Sequence, residues 1–536
     1  MSRHSQGNEA RILAILGRRL ASLRDRLFAE PDSDDVAALN HRLIAGQTFG
    51  LHIVVAALGA IASFAVTSAS AAERPNILLI ISEDNGPELG CYGEPYVQTP
   101  HLDQLAAAGV RFDRAYVPQA GCSQSRAAYL TGLYPHQNGQ IGLATWKFRL
   151  YDENTPNLIR SLKQAGYRTG IIGKLHVNPA SAFPFDFHEI PSSNFGRKKL
   201  KSYAAEAKKF ITQSEEPFFL SVNYPDPHRP FTKQAGGLPK KPLRAADVKP
   251  FAYFGEGIDA PDLREQVANY YNCMSRLDSL IGNLLEELRA SGKFDNTLII
   301  YFGDHGADLL RGKRTSYEGG VRIPLIIKWA DRWQSVRNEL VSTLDIMPTL
   351  LEVTGAKPVS KLAGRSLLPM LDGRSKTWRS HLFTEFHIHS AHNYYPQRTV
   401  RNDRFKLIRN LMPNEVNPGY DFAINRFFPR LDEVIEDAPE LVSSAYALMR
   451  QPPEFELYDL KEDPYEFTNL AGSSRHSGTL AELQERLATW RKETNDPLLN
   501  QKNVLRLQQE IEACFKAGKP EKASLELTYP DYFFEK

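Results

Sequence analysis

An α/β fold, with one large, mostly parallel sheet covered by helices and a smaller α+β domain following it, is predicted by three observations. From Arg74 onward, short β-branched runs alternate with amphipathic helical stretches. Several of the runs are apolar throughout, as strands are when both faces of a parallel sheet are covered. After about Gly373 the alternation gives way to short strand-like pieces set among loops rich in Pro, Asn and aromatic residues. A length of 536 residues accommodates both parts.

The predicted strands are Asn76–Ser82, Arg168–Gly173, Phe218–Tyr224, Thr297–Gly303 and Pro324–Trp329. Between them the helical stretches run Thr99–Ala108, Asn157–Ala165 and Leu263–Ala290, with Gly109, Gly166 and Gly292 as C-cap signals. In the second part, Lys406–Arg409 and Phe455–Asp459 read as strands and Thr479–Thr494 as a helix. The expected organisation is an N-terminal extension with a signal peptide (1–72), a catalytic domain (73–373) and a C-terminal α+β domain (374–536).

Leu51 to Thr67 form an uncharged, Ala-rich stretch, preceded by His41-Arg42 and followed by Ser68-Ala69-Ser70-Ala71-Ala72. Basic flank, apolar core and small residues in that order predict an export signal cut after Ala71 or Ala72. The run is barely long enough for the alternative, a membrane anchor. The chain is thus expected to be periplasmic or secreted, with no stable membrane insertion after cleavage. The Arg-rich first 50 residues are assigned no function, and a start placed too far upstream accounts for them most simply. A net charge of +2 offers no global attraction for nucleic acid, so recognition of an anion must be local. The four cysteines, Cys91, Cys122, Cys273 and Cys514, are widely spaced and form no zinc motif, so the fold needs no disulfide framework.

Reactive groups collect at the carboxyl ends of strands in open α/β sheets. Asn76–Ser82 ends in Glu83-Asp84-Asn85-Gly86, and Thr297–Gly303 ends in Asp304-His305-Gly306. These hard oxygen donors suit Ca²⁺ or Mg²⁺ better than zinc. Either pair alone reads equally well as the cap of a turn. Lys174 and His176 follow one strand end, and His228, in Asp226-Pro227-His228-Arg229-Pro230, follows another. Lys313 lies shortly after the Asp304 pair. Each of these, taken singly, is explained as well by a surface lysine or a core histidine.

The run Gly121-Cys122-Ser123-Gln124-Ser125-Arg126, continuing to Leu130-Thr131-Gly132, resembles the signature of the type I sulfatases, with Gln124 where the family mostly has Pro or Ala. Further segments, Thr169-Gly170-Ile171-Ile172-Gly173-Lys174, Phe183-Pro184-Phe185-Asp186-Phe187 and Tyr395-Pro396-Gln397-Arg398, are similar to the sulfamidase branch, which hydrolyses N-sulfoglucosamine. The resemblance implies an alkaline-phosphatase-like sandwich. It also implies that a maturation enzyme oxidises Cys122 to formylglycine, whose hydrated aldehyde attacks sulfur. Glu83, Asp84, Asp304 and His305, with residue 122, would then bind a divalent cation, Ca²⁺ first and Mg²⁺ second. By the same resemblance Arg126, Lys174 and His176 position and polarise the aldehyde hydrate, and His228 and Lys313 contact the sulfate. His228 is the candidate leaving-group acid, and His389 is placed at the pocket mouth.

The implied partners are a sulfated saccharide of heparin or heparan type, the maturation enzyme and a second copy in a homodimer, with no nucleic acid. Two alternatives stay open: an O-sulfatase acting on another sulfated glycan, and a sulfated-glycan-binding protein that never matures, which Gln124 favours.

Overall fold

The computed structural model describes residues 74–390, 393–420, 428, 430–516 and 526–534. The expected export signal and the segment before it lie outside these residues. Nine strands build the main sheet: β1 Asn76–Ser82, β2 Val110–Tyr116, β3 Arg168–Gly173, β4 Phe187–Glu189, β5 Phe218–Tyr224, β6 Thr297–Gly303, β7 Arg322–Trp329, β8 Ser335–Arg337 and β9 Val341–Ser342. Their order is β4-β3-β5-β1-β6-β7-β2-β8, with β9 also paired to β2. β1 lies between β5 and β6, parallel to both. β7 runs antiparallel to both of its neighbours, so it is the strand that returns. A second, antiparallel sheet joins β10 Leu382–Phe386, β11 Gln397–Arg401, β12 Phe405–Asn410 and β13 Phe455–Asp459.

The main sheet is buried on both faces because β1 has apolar side chains at every central position. Leu78 and Ile80 enter a core with the long helix Pro261–Ala290, while Ile77, Leu79 and Ile81 enter another with helices Cys122–Thr131 and Leu158–Gln164. Period-two alternation sends successive residues to opposite faces, and here both faces are dry.

Of the elements that differ from the sequence reading, four show why. β2 (VRFDRAY) carries Arg111, Asp113 and Arg114 at partly buried positions, so its apolar alternation is broken. It forms because β7 and β8 flank it on both sides. β7 begins two residues before Pro324. β11 (QRTVR) is fully buried although mostly polar, because its arginines find carboxylates: Arg398 bonds Asp496 at 2.9 and 2.7 Å, and Arg401 bonds Glu318 at 2.8 Å. The helix Gln501–Lys516 follows the expected one.

Candidate active site

The carboxyl ends of β1, β3, β5 and β6 lie side by side and open onto the N-terminus of the helix Cys122–Thr131. Glycine closes two of these strands for a steric reason. A Cβ on Gly173 would sit 2.2 Å from the Asn223 carbonyl oxygen, and one on Gly303 would sit 2.0 Å from that of Asn85. The loops that follow hold two non-glycine residues in the left-handed region, Asp84 (φ 52°) and His176 (φ 58°). Such conformations persist only where surrounding contacts impose them.

Cys122 is the first residue of its helix and is buried. Its Sγ lies 3.4 Å from His305 Nε2, 3.6 Å from Lys313 Nζ and 3.9 Å from Asp84 Oδ1. Lys313 donates to both oxygens of Asp84, at 2.9 and 3.0 Å. The Asp84 backbone N–H donates to Asp304 Oδ1 at 2.8 Å, which ties the β1 and β6 loops together. Arg126, with no exposed surface, donates to Glu83, to Asp304 at 3.3 Å, to Asn223 Oδ1 at 2.7 Å and to the Lys174 carbonyl at 3.0 Å. Lys174 Nζ donates to the other oxygen of Glu83 at 2.7 Å.

Opposite charges are thus interleaved, which is how buried ions are tolerated. Burial alone would raise the Glu83 carboxyl, but Lys174 and Arg126 outweigh it and hold its pKa low. Burial works against charge on Lys313 as well, and Asp84 and Cys122 outweigh it, leaving its pKa raised. For His305 burial is again overcome, here by Asp304 and Asp84, and its pKa is raised to about 9. His176, His228 and His389 go the other way. Burial and the neighbouring cations push each well below the ordinary histidine value, so their rings are neutral.

His228 lies at the entrance, stacked on Phe195 at 3.6 Å between ring centres. Its Nδ1 is 2.6 Å from the Arg229 carbonyl, an acceptor only, so Nδ1 carries the hydrogen and Nε2 is left as an acceptor. Asp226, buried beneath this loop, accepts from Arg197 at 2.7 Å and from Arg276 at 2.7 and 2.6 Å. Two overlapping donor groups are able to hold a cation: Glu83, Asp84, Cys122 and His228, and Asp84, Cys122, Asp304 and His305. Within each group the ligand atoms lie within 4.8 Å of one another.

A family model described as "Sulfatase" matches residues 75–356, and one described as "N-sulphoglucosamine sulphohydrolase, C-terminal" matches 303–425. The chain belongs to the sulfatase family. It is 34% identical to human N-sulphoglucosamine sulphohydrolase over 79% of this chain and 91% of that one. It is 25% identical to an N-acetylglucosamine-6-O-sulfatase of Bacteroides thetaiotaomicron, covering 79% and 88% of the two chains. Among solved structures, one of a protein in complex with its substrate D-glucosamine-2-N,6-O-disulfate matches with a TM-score of 0.58 at 20% identity, covering 79% of this chain and 99% of that one. A 2-O GAG sulfatase matches with a TM-score of 0.61 at 22% identity, covering 80% and 94%. These structural likenesses bear on the fold.

This sulfatase is therefore a hydrolase of sulfate esters or sulfamates. The structure brings Glu83, Asp84, Cys122, Arg126, Lys174, Asp304, His305 and Lys313 into one connected cluster, with His228 3.8 Å from Asp84 at its edge. His176 is set by its left-handed backbone, and neither ring nitrogen has a partner. His389 is buried on the second sheet's side, in the field of Arg314, Lys313 and His305.

The sequence reading passed over Asn223, Phe195, Asp226 and the buried Asp308–Arg314 pair. Asp226 and Arg314 adjoin residues that were singled out, so proximity in the motif was the available signal. Phe195 and Asn223 carried none. All four cysteines are free thiols. Among the described residues no helix is long and apolar enough to cross a membrane.

Proposed function

We propose that this sulfatase removes sulfate from the amino nitrogen of N-sulfoglucosamine in heparin- or heparan-type glycans. The observation that carries the reading is the enclosure of Cys122 by Lys313, His305 and Asp84 at the meeting of four strand ends. The N-sulphoglucosamine sulphohydrolase match over 303–425 supports the choice of sulfamate, because that segment includes His305, Lys313 and His389. In this reading the enzyme is exported, 73–373 is the catalytic domain, and the α+β domain 374–536 supplies His389.

A maturation enzyme would convert Cys122 to formylglycine, which would supply a hydrate oxygen as the nucleophile toward sulfur. The donor set fits a divalent cation: atoms of buried Asp84, Cys122, Asp304 and His305 lie within 4.8 Å of one another, and the oxygen-rich set suits Ca²⁺ or Mg²⁺. Glu83, Asp84, Asp304, His305 and residue 122 would hold it, and once bound it supplies positive charge against the sulfate oxygens.

The chain's own groups do the rest. Arg126 and Lys174 hold Glu83 ionised and fix the β1 loop against the helix. Lys313 presents a fixed cation beside residue 122, where charge builds on the sulfate oxygens. His228 protonates the departing nitrogen. In the resting site its Nε2 is an acceptor, so the ring gains a proton before giving it up. The balance is hydrolytic: the S–N bond breaks, water's oxygen ends on sulfate and the amine leaves protonated.

Two measurements test this. Matured protein is assayed on N-sulfoglucosamine and on 6-O-sulfated glucosamine, and sulfate release from the O-sulfated sugar alone overturns the sulfamate reading. Mass spectrometry of the peptide bearing residue 122, from the native host, should show formylglycine, and a thiol in every molecule would remove the proposed nucleophile.

A further inference from the structure

We propose that Gln124 is a positioning residue that clamps the segment carrying His389 onto the nucleophile helix, and so sets affinity for the sugar part of the substrate. The inference rests on the reading of the pocket as a sulfated-sugar site. Gln124 is the position at which the chain departs from the sulfatase signature, and it has no exposed surface.

Its Nε2 donates to the Ile388 carbonyl at 2.6 Å and to the Ile141 carbonyl at 3.3 Å. Gln119 Nε2 donates to the same two carbonyls, at 3.1 and 3.2 Å. Two side-chain amides therefore stitch three segments together: the Cys122 helix, the 141–144 loop and the stretch after β10. Two further bonds close the seam, from the Leu143 N–H to the His389 carbonyl at 3.0 Å and from the Ala144 N–H to Ser123 Oγ at 2.9 Å.

The orientation of both amides is settled by their partners. Asp496 accepts from Arg398, Arg398 Nη2 donates to His387 Nε2 at 2.9 Å, and His387 Nδ1–H donates to Gln119 Oε1 at 3.1 Å. The Gln119 amide nitrogen is then left for the carbonyls. Gln124 likewise turns its nitrogen to the carbonyls, which places Oε1 over Gly121, where it has no partner. A Cβ on Gly121 would lie 2.6 Å from that oxygen, so the glycine before Cys122 makes room for it.

The beneficiary of the clamp is His389. Its Nε2 is buried and without a partner, and its backbone carbonyl is held by the Leu143 N–H on the loop that Ser123, next to Cys122, anchors. An imidazole with an unpartnered nitrogen, on a segment tied to the Cys122 helix, suits a sugar hydroxyl.

The test compares Q124M, which keeps the volume and removes the amide, with wild type, all rates being taken per formylglycine-bearing molecule as counted by mass spectrometry. We expect KM for N-sulfoglucosamine to rise about tenfold, the size of one lost hydrogen bond, with kcat within about twofold. Turnover of a small aryl sulfate without a sugar should not change. H389A should raise KM similarly, and the Q124M/H389A double variant should be no worse than H389A. An equal loss on the aryl sulfate, or additive KM effects, overturns the proposal. Q119M, which removes the other amide, is the second variant and should also raise KM.

If wild type fails on N-sulfoglucosamine, the same comparison on the sulfated sugar it does hydrolyse separates the two failures. Independently of substrate, hydrogen exchange at the Leu143 amide should quicken in Q124M, and unchanged exchange overturns the clamp.

Discussion

At the scale of single residues, the site is held by charges that balance one another out of water. Arg126 is the most committed of them, since Glu83 and Asp304 both depend on it. Replacing it with Met leaves two buried carboxylates short of a partner. We expect R126M to lose about 3–5 kcal/mol of stability in chemical denaturation. Glu88 shows the opposite condition. It is buried beside Glu94, with the Tyr270 hydroxyl donating to it, and burial first, then Glu94, raises its carboxyl from 4.5 to about 7. The folded protein then holds more protons than the unfolded chain between those values, so ionising Glu88 costs stability as pH rises from 4.5 to 7. E88Q should therefore be more stable than wild type at pH 8, by up to about 3 kcal/mol in thermal unfolding, and the advantage should shrink toward pH 5. Equal pH profiles for the two proteins would refute this.

At the scale of elements, each strand of the central group carries a loop whose first residues reach the site, and buried anchors beneath the loops keep them in place. Asp226 is such an anchor, bridging Arg197 and Arg276 under His228. D226N should lower kcat/KM by at least about tenfold and destabilise the fold by about 3 kcal/mol, because two buried guanidinium groups lose their counter-charge. Steady-state kinetics with a denaturation curve checks both. The strands β1, β3, β5 and β6 were legible because their runs are largely apolar, and glycine marks the ends of β3 and β6. β2 and β11 were not, since Arg111, Asp113, Arg398 and Arg401 make them look like loops. Their polar side chains are satisfied by partners both near and as far as 289 residues away in the chain, such as Asp113 for Arg111 and Asp403 for Arg114.

At the scale of the whole molecule, folding gathers acidic groups that the unfolded chain keeps apart. A cation that binds only the folded form must stabilise it, by about 2.7 kcal/mol at a hundredfold excess over Kd. Adding Ca²⁺ to metal-stripped protein should raise the melting temperature, and D304N should abolish most of the gain. No shift with Ca²⁺ or Mg²⁺ would argue against the cation site. The second sheet contributes at this scale too. Glu385 on β10 accepts from the His136 backbone N–H at 2.9 Å, and Arg398 on β11 feeds the hydrogen-bond chain that ends at Gln119.

The sequence by itself determined the α/β architecture and the family. Unbroken apolar runs can be satisfied only by a sheet covered on both faces, and the Cys122 motif with its strand-end acids recurs in a fixed order. It also named most of the polar groups that the structure gathers at the strand ends, because residue type is written in the sequence. Only the tertiary structure decided who pairs with whom: that Glu83 is shared between Arg126 and Lys174, that Asp304 and Asp84 raise the pKa of His305 while burial lowers those of His228 and His389, and that Gln124 grips two distant carbonyls. Those outcomes depend on desolvation and on distances of a few ångströms, which arise when strands far apart in sequence are brought to one edge.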